Sequence, residues 1–189
     1  MKKSIITIAG LAGSGKSTAG KVIADKLGYK HFSAGDLQRQ FAERNGMSIE
    51  DLNTKAKTDP QFDKATDDEN TKIGEGGERV VDARLAYYFI PDSFKVFLTI
   101  DPVVSANRVF KQIKEEGRHT QTAESVEEII EKTKGRRADE RSRFLDYYDL
   151  DIDDLSPFDL VIDTTETGLD EVVEQIIQAY KNWLSNVQG

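Results

Sequence analysis

The chain has no cysteine, which excludes disulfides and thiolate metal sites alike. Its two histidines, His31 and His119, are too few for a histidine zinc site. Basic charge is in deficit. Lys and Arg number 26 against 34 Asp and Glu, a formal net charge of −8. A nucleic-acid surface wants a basic stripe, so that class of partner is not expected. Long apolar runs are missing too. The first one follows two lysines and ends at Ala9, too short for a signal-peptide core or a membrane span. Repeats and low-complexity tracts are absent. What remains is 189 residues, enough for one domain with a full core, expected to be soluble, cytoplasmic and monomeric.

Against these shortages stands one dense stretch: Gly10, Leu11, Ala12, Gly13, Ser14, Gly15, Lys16, Ser17 and Thr18. It follows Ile5-Ile6-Thr7-Ile8-Ala9, a β-branched run that reads as a buried strand. It precedes residues 19–27, where apolar positions 19, 22, 23 and 27 fit one helix face. Strand, Gly-x-x-x-x-Gly-Lys-Ser, helix is the context of a phosphate-binding P-loop. Glycines let the backbone turn its N–H groups inward, and the helix start adds partial positive charge. Lys16 is placed to reach the β- and γ-phosphates of a nucleoside triphosphate such as ATP, and the Ser17 hydroxyl to sit on Mg²⁺.

Further along, Gly28 ends the first helix and residues 29–32 read as a second strand. Ser33 can cap a helix to about Asn45, and Gly46 stops it. Ser48 with Asp51 forms a variant capping box. Asp59-Pro60 starts a polar helix to about Ile73. Residues 79–83, 94–100 and 159–163 are three more strands. Asp101-Pro102 opens a helix to about Glu116. A charged helix spans about 123–148, with a break expected near Gly135. Thr167 is placed to cap a terminal helix whose Val172, Val173, Ile176, Ile177, Tyr180 and Leu184 form a core stripe. Five strands alternating with helices predict an α/β fold with a parallel sheet. The P-loop, Ser33 to Arg39 and Asp82 to Arg84 all follow strands, so they converge on one crevice.

Arginines supply the second signal. Arg39 sits one turn beyond Gly35, and Arg84 closes the third strand. Guanidinium forks bind phosphate bidentately, which suits a second phosphate group. Each arginine alone reads more readily as a solvated surface residue; together, at strand ends beside a P-loop, the two favour the phosphate role. Asp82 ends an apolar strand, where a carboxylate needs a partner. It could hold Mg²⁺ through water, or pair with Arg84 or Lys16. On a helix Arg136, Glu140 and Arg143 share one face, and Arg137 and Arg141 another. Mobile arginines closing over a transferring phosphoryl group would stabilise its charge; a solvated helix with Glu–Arg pairs is the plain alternative.

At these residues the chain resembles the nucleoside monophosphate kinases of the adenylate kinase superfamily, and most of all the short archaeal-type cytidylate kinases. Ser33-Ala34-Gly35-Asp36 with Arg39 is similar to that family's monophosphate-binding segment. Arg84-Leu85-Ala86 is similar to its second phosphate arginine, and Arg136, Glu140 and Arg143 to its lid spacing. Asp151-Ile152-Asp153-Asp154-Leu155-Ser156 is the most specific match. Ala83 and Leu85 depart from the family's glycine and aspartate at those places.

The resemblance implies a three-layer α/β/α P-loop fold with a five-stranded parallel sheet. The core would comprise residues 1–33, 77–116 and 144–189, with a monophosphate-binding insertion at about 34–76 and an Arg-rich lid at about 117–143. It implies transfer from ATP, with Mg²⁺, onto CMP and dCMP. Asp63 and Asp67 fall on the acidic acceptor-site positions, where a carboxylate could accept from the cytosine amino group. Two other readings stay open. One is an adenylate kinase or another small-acceptor kinase, acting for example on shikimate or a nucleoside. The other is a nucleotide-dependent switch without an acceptor, although no Asn/Thr-Lys-x-Asp guanine-reading motif is present.

Overall fold

The computed structural model describes residues 4–44, 46–48, 51–52, 54–55, 71–116 and 123–185. In chain order these include β1 (Ile5–Gly10), α1 (Lys16–Leu27), β2 (Lys30–Ser33), α2 (Ala34–Arg44) and β3 (Arg79–Asp82). Then come α3 (Ala86–Phe89), β4 (Phe94–Thr99), α4 (Pro102–Glu116), α5 (Val126–Tyr148), β5 (Leu160–Asp163) and α6 (Leu169–Ser185). The five strands form one parallel sheet in the order β2-β3-β1-β4-β5. The five strands expected from the sequence are all present.

Alternation along the strands sorts the two faces, because successive side chains point to opposite sides. Ile6 and Ile8 of β1 join Val96 and Leu98 of β4 under α1 and α6. There Ile23, Val173 and Ile176 are fully buried, each contributing about 1.5–3 kcal/mol relative to an exposed side chain. Ile5 and Ala9 face the other way. Ile5 packs near α3, and Ala9 lies in a cluster with Phe97, Phe144 of α5 and Ile152. The terminal stripe is therefore core, as its spacing implies.

Most helix ends follow their sequence signals. Ser33 Oγ accepts from Asp36 N at the start of α2 (3.3 Å). Ser48 and Asp51 exchange hydrogen bonds as a capping box, at 3.0 and 3.1 Å. Asp101 Oδ1 accepts from the N–H groups of Val103 and Val104. Gly28 adopts the left-handed conformation beyond α1 (φ 70°).

Two expectations are corrected. The helix does not break at Gly135: α5 is continuous for 23 residues, capped by Ser125, whose side chain accepts from Glu128 N. One glycine weakens a helix by about 1 kcal/mol, too little to interrupt one held at both ends. Thr167 does not cap α6; its hydroxyl donates to the Asp163 carbonyl (2.8 Å), and the helix starts after Gly168. The short α3, which has no side-chain cap at Leu85 and stops just before Pro91, is not among the helices expected from the sequence. Among the described residues no helix is long and apolar enough to cross a membrane.

Gly10 ends β1 against β4 with φ 144°, and a Cβ there would overlap the Leu98 backbone. Gly10→Ala is expected to destabilise the fold by about 2 kcal/mol or more, read as a lowered midpoint in urea denaturation.

Candidate active site

The P-loop is built on backbone. Gly13 and Gly15 take positive φ (71° and 84°), conformations that side chains disfavour. The Leu11 carbonyl gathers three donors: Ser14 N at 3.3 Å, Ser14 Oγ at 2.8 Å and Lys16 Nζ at 2.8 Å. No side chain caps the start of α1 at Gly15, and its first turn carries no acidic residue. The helix terminus therefore keeps N–H groups for an anion. From the far side, α4 braces the loop. Ser105 Oγ donates to the Ala12 carbonyl (2.7 Å), and a Cβ on Gly13 would lie 2.8 Å from the Ser105 carbonyl.

Register places the next group. Ile8, Asp82 and Ser33 pair across β1, β3 and β2, so Asp82 lies beside the P-loop at the carboxyl edge of the sheet. Its carboxylate is 4% exposed. Asp82 Oδ2 accepts from the hydroxyls of both Ser17 and Ser33, the latter at 3.0 Å. These hydroxyls, rather than an ion pair with Arg84 or Lys16, satisfy the buried charge. Ser33 thus serves Asp82 and the start of α2 at once.

Arg84 turns elsewhere. Its guanidinium pairs with Glu140 of α5, whose side chain is only 7% exposed. Arg136 Nε donates to the same Glu140 oxygen at 2.9 Å. One nearly dry carboxylate therefore ties the arginine after β3 to an arginine of α5. Arg39 of α2 pairs with Asp36, one turn back, and lies against Gly35. Arg143 sits with its guanidinium 5.6 Å from the Phe144 ring. Thr18 is exposed.

Lys16 reports the electrostatics of this crevice. Its amine is held down to about 8, first by burial. Asp82 pulls it upward, while Arg84, Arg136 and Arg39 push it further down. Residues 16, 39, 84 and 136, picked from separate parts of the sequence, thus act on one another in one place. Such crowded cations favour a polyanion.

The other face of α5 is fixed separately. Arg137 Nε donates to Asp153 Oδ1 (2.9 Å), and Arg141 grips both oxygens of Asp151 (2.8 and 2.6 Å). The division of α5 into a 136/140 face and a 137/141 face is as the spacing implies. Arg108 of α4 also lies near this edge of the sheet. Its guanidinium rests on the carbonyls of Thr164 and Thr165 after β5 (2.9 and 3.2 Å), on the P-loop's side of the sheet edge. Asp63 and Asp67 lie outside the described residues.

Residues 5–166 match the cytidylate kinase-like family. The chain belongs to that family. It is 38% identical over 165 residues to a protein of Pyrococcus horikoshii named cytidylate kinase, with 87% of this chain and 81% of that one covered. It is 34% identical to one of the same name from Archaeoglobus fulgidus, covering 92% and 93%. A solved shikimate kinase from Bacteroides thetaiotaomicron matches this cytidylate kinase-like fold with a TM-score of 0.63 and 18% identity, over 96% and 98% of the two chains. That likeness concerns the fold alone.

The lowered Lys16 pKa implies a stability effect with a definite sign. The folded protein holds the Lys16 proton more weakly than the unfolded chain does, since burial lowers the amine from 10.5 to about 8. Below pH 8 the charged amine destabilises the ligand-free fold; between pH 8 and 10.5 that penalty fades. Lys16→Met is expected to raise ligand-free stability at pH 7 by about 1–2 kcal/mol, with the gain closing towards pH 10. Urea denaturation across that pH range checks it.

Proposed function

We propose that the chain transfers the γ-phosphoryl group of ATP to CMP, and to dCMP. The observation that carries this reading is the pair of arginines held by Glu140 next to the P-loop lysine. A P-loop alone accounts for the triphosphate. A second cationic group, drawn from β3's end and α5, suits an acceptor that carries its own phosphate. Family membership and the archaeal relatives' names favour CMP as that acceptor.

In this reading the P-loop residues Gly10 to Thr18 bind ATP, with Lys16 neutralising phosphate charge. Arg39 and Arg84 hold the monophosphate, with Ser33 and Gly35 shaping the start of its site. Arg136, organised by Glu140, and Arg143 neutralise charge in flight. No general base is needed, because the acceptor phosphate is already an anion. Mg²⁺ suits the donor set present: the Ser17 hydroxyl and the Asp82 carboxylate share a hydrogen bond and are hard oxygen ligands. When bound it would neutralise and orient the β- and γ-phosphates. Asp63 and Asp67 read the cytosine amino group.

A coupled assay with ATP and the four monophosphates tests the proposal. CMP should exceed AMP, GMP and UMP in kcat/KM by about a hundredfold. AMP as the best acceptor would make the protein an adenylate kinase. ATP hydrolysis indifferent to any monophosphate would favour the switch. Asp63→Asn should compress the CMP/UMP ratio; an unchanged ratio would place the base reader elsewhere.

Arg39→Lys and Arg84→Lys should each raise the KM for CMP by about tenfold or more, leaving the KM for ATP within about threefold. Lysine keeps the charge and loses the fork. Equal losses for both substrates would assign these arginines to the wrong phosphate.

A further inference from the structure

Helix α5 carries the Arg136–Glu140 face, yet little apolar packing fixes its rotation. Of its 23 residues only Ile129, Glu140 and Phe144 are buried. Ile129 is near the start and Phe144 near the end. Between them the one buried side chain is a carboxylate, satisfied by arginines that themselves take part in the site. Phe144 and Tyr148 pack in a cluster at one end and Ile129 is buried at the other, so a directional contact outside the site would fix which way the middle of the helix faces.

The 151–153 loop makes that contact. Arg137 Nη2 donates to the Ile152 carbonyl (3.2 Å), and Arg137 Nε to Asp153. Arg141 holds Asp151 through two parallel hydrogen bonds and approaches Asp153 Oδ2 at 3.3 Å. The loop is stiff in itself: Asp153 N donates to Asp151 Oδ1 (3.0 Å), and Asp154 N to the Asp151 carbonyl (3.1 Å). Ile152 between the two aspartates is buried against Phe144 and Phe97, so the loop is anchored to the sheet. Arginine forks match carboxylates in one orientation only, which makes the contact directional.

We infer that Arg137 and Arg141, gripped by Asp151 and Asp153, are positioning residues that set the rotation of α5 and so hold Arg136 and Glu140 toward Arg84. They act through the helix and touch neither substrate. Exposed ion pairs add little to global stability. The expected signature is therefore in turnover and helix order, with unfolding barely changed.

Only the activity arm of the test rests on the kinase reading; the distance arm does not. The absence of cysteine allows spin labels at Val103→Cys on α4 and Ser142→Cys on α5, both exposed positions. The label–label distance distribution is measured by double electron–electron resonance. Three proteins are compared in the full chain: the wild-type background, Arg137→Gln/Arg141→Gln, and Arg137→Lys/Arg141→Lys. Glutamine and lysine are both good helix formers, so the helix itself is kept.

The Gln pair should widen the distribution about twofold and lower kcat with CMP about tenfold, with KM for ATP within about threefold. The Lys pair should keep a narrow distribution and a kcat within about threefold of wild type. A Gln pair with wild-type kcat and distribution overturns the inference. A lowered kcat with an unchanged distribution also overturns it, because the arginines would then act directly. If the wild-type chain does not phosphorylate CMP, the kinase reading fails, and the distance distributions alone decide the positioning role.

Discussion

A carboxylate kept almost dry between two guanidinium groups is the interaction on which the site depends. Glu140 pairs with Arg84 and Arg136 at once. Burying a charge is expensive unless partners satisfy it, and removing one partner leaves the other stranded. The arrangement therefore works as a clasp between the sheet and α5. Without it, Arg84, Arg136 and the nearby Lys16 would repel one another across a small crevice. With it, they are collected at one place and still carry more positive charge than Glu140 cancels. That surplus is what a phosphate meets.

A second buried carboxylate does a parallel task beside the P-loop. Asp82 collects the hydroxyls of Ser17 and Ser33, one from the triphosphate side and one from the start of α2. Both acids are satisfied by side chains from distant parts of the chain. Both tie a ligand-facing element to the rigid sheet. Preorganisation of this kind keeps charged groups from reorganising when the substrate arrives.

Much of this was legible in the sequence because it is local. The P-loop lies within nine consecutive residues, and the Ser33, Ser48 and Asp101 caps act within three residues of themselves. The two faces of α5 follow from helical spacing. What was not legible depends on partners far along the chain. Spacing puts Glu140 beside Arg136, but nothing in it says that Arg84, 56 residues earlier, completes the pair. Asp82 had three candidate partners, and the hydroxyls that hold it come from strand register for Ser33 and from the first turn of α1 for Ser17. Gly135 looked like a break and is a weak point spanned by its flanks. Thr167 had a capping residue's chemistry, but its hydroxyl turned back to Asp163. The segment 151–156 was conspicuous by resemblance alone; its structural role appeared only once Arg137 and Arg141 were seen to grip it.

The strand order bears on how the chain comes into being. β1 is made first and sits in the centre, with its partners β3 and β4 starting at residues 79 and 94. A parallel strand has no neighbour to borrow nearby in sequence. During synthesis Ile5, Ile6 and Ile8 must therefore wait until residues 79–82 of the 189 have been made before either edge of β1 is covered. Such non-local pairing folds slowly and leaves an apolar strand open to the wrong partner. For this protein the hazard of misassembly is concentrated in the same few residues that later carry the phosphate-binding loop.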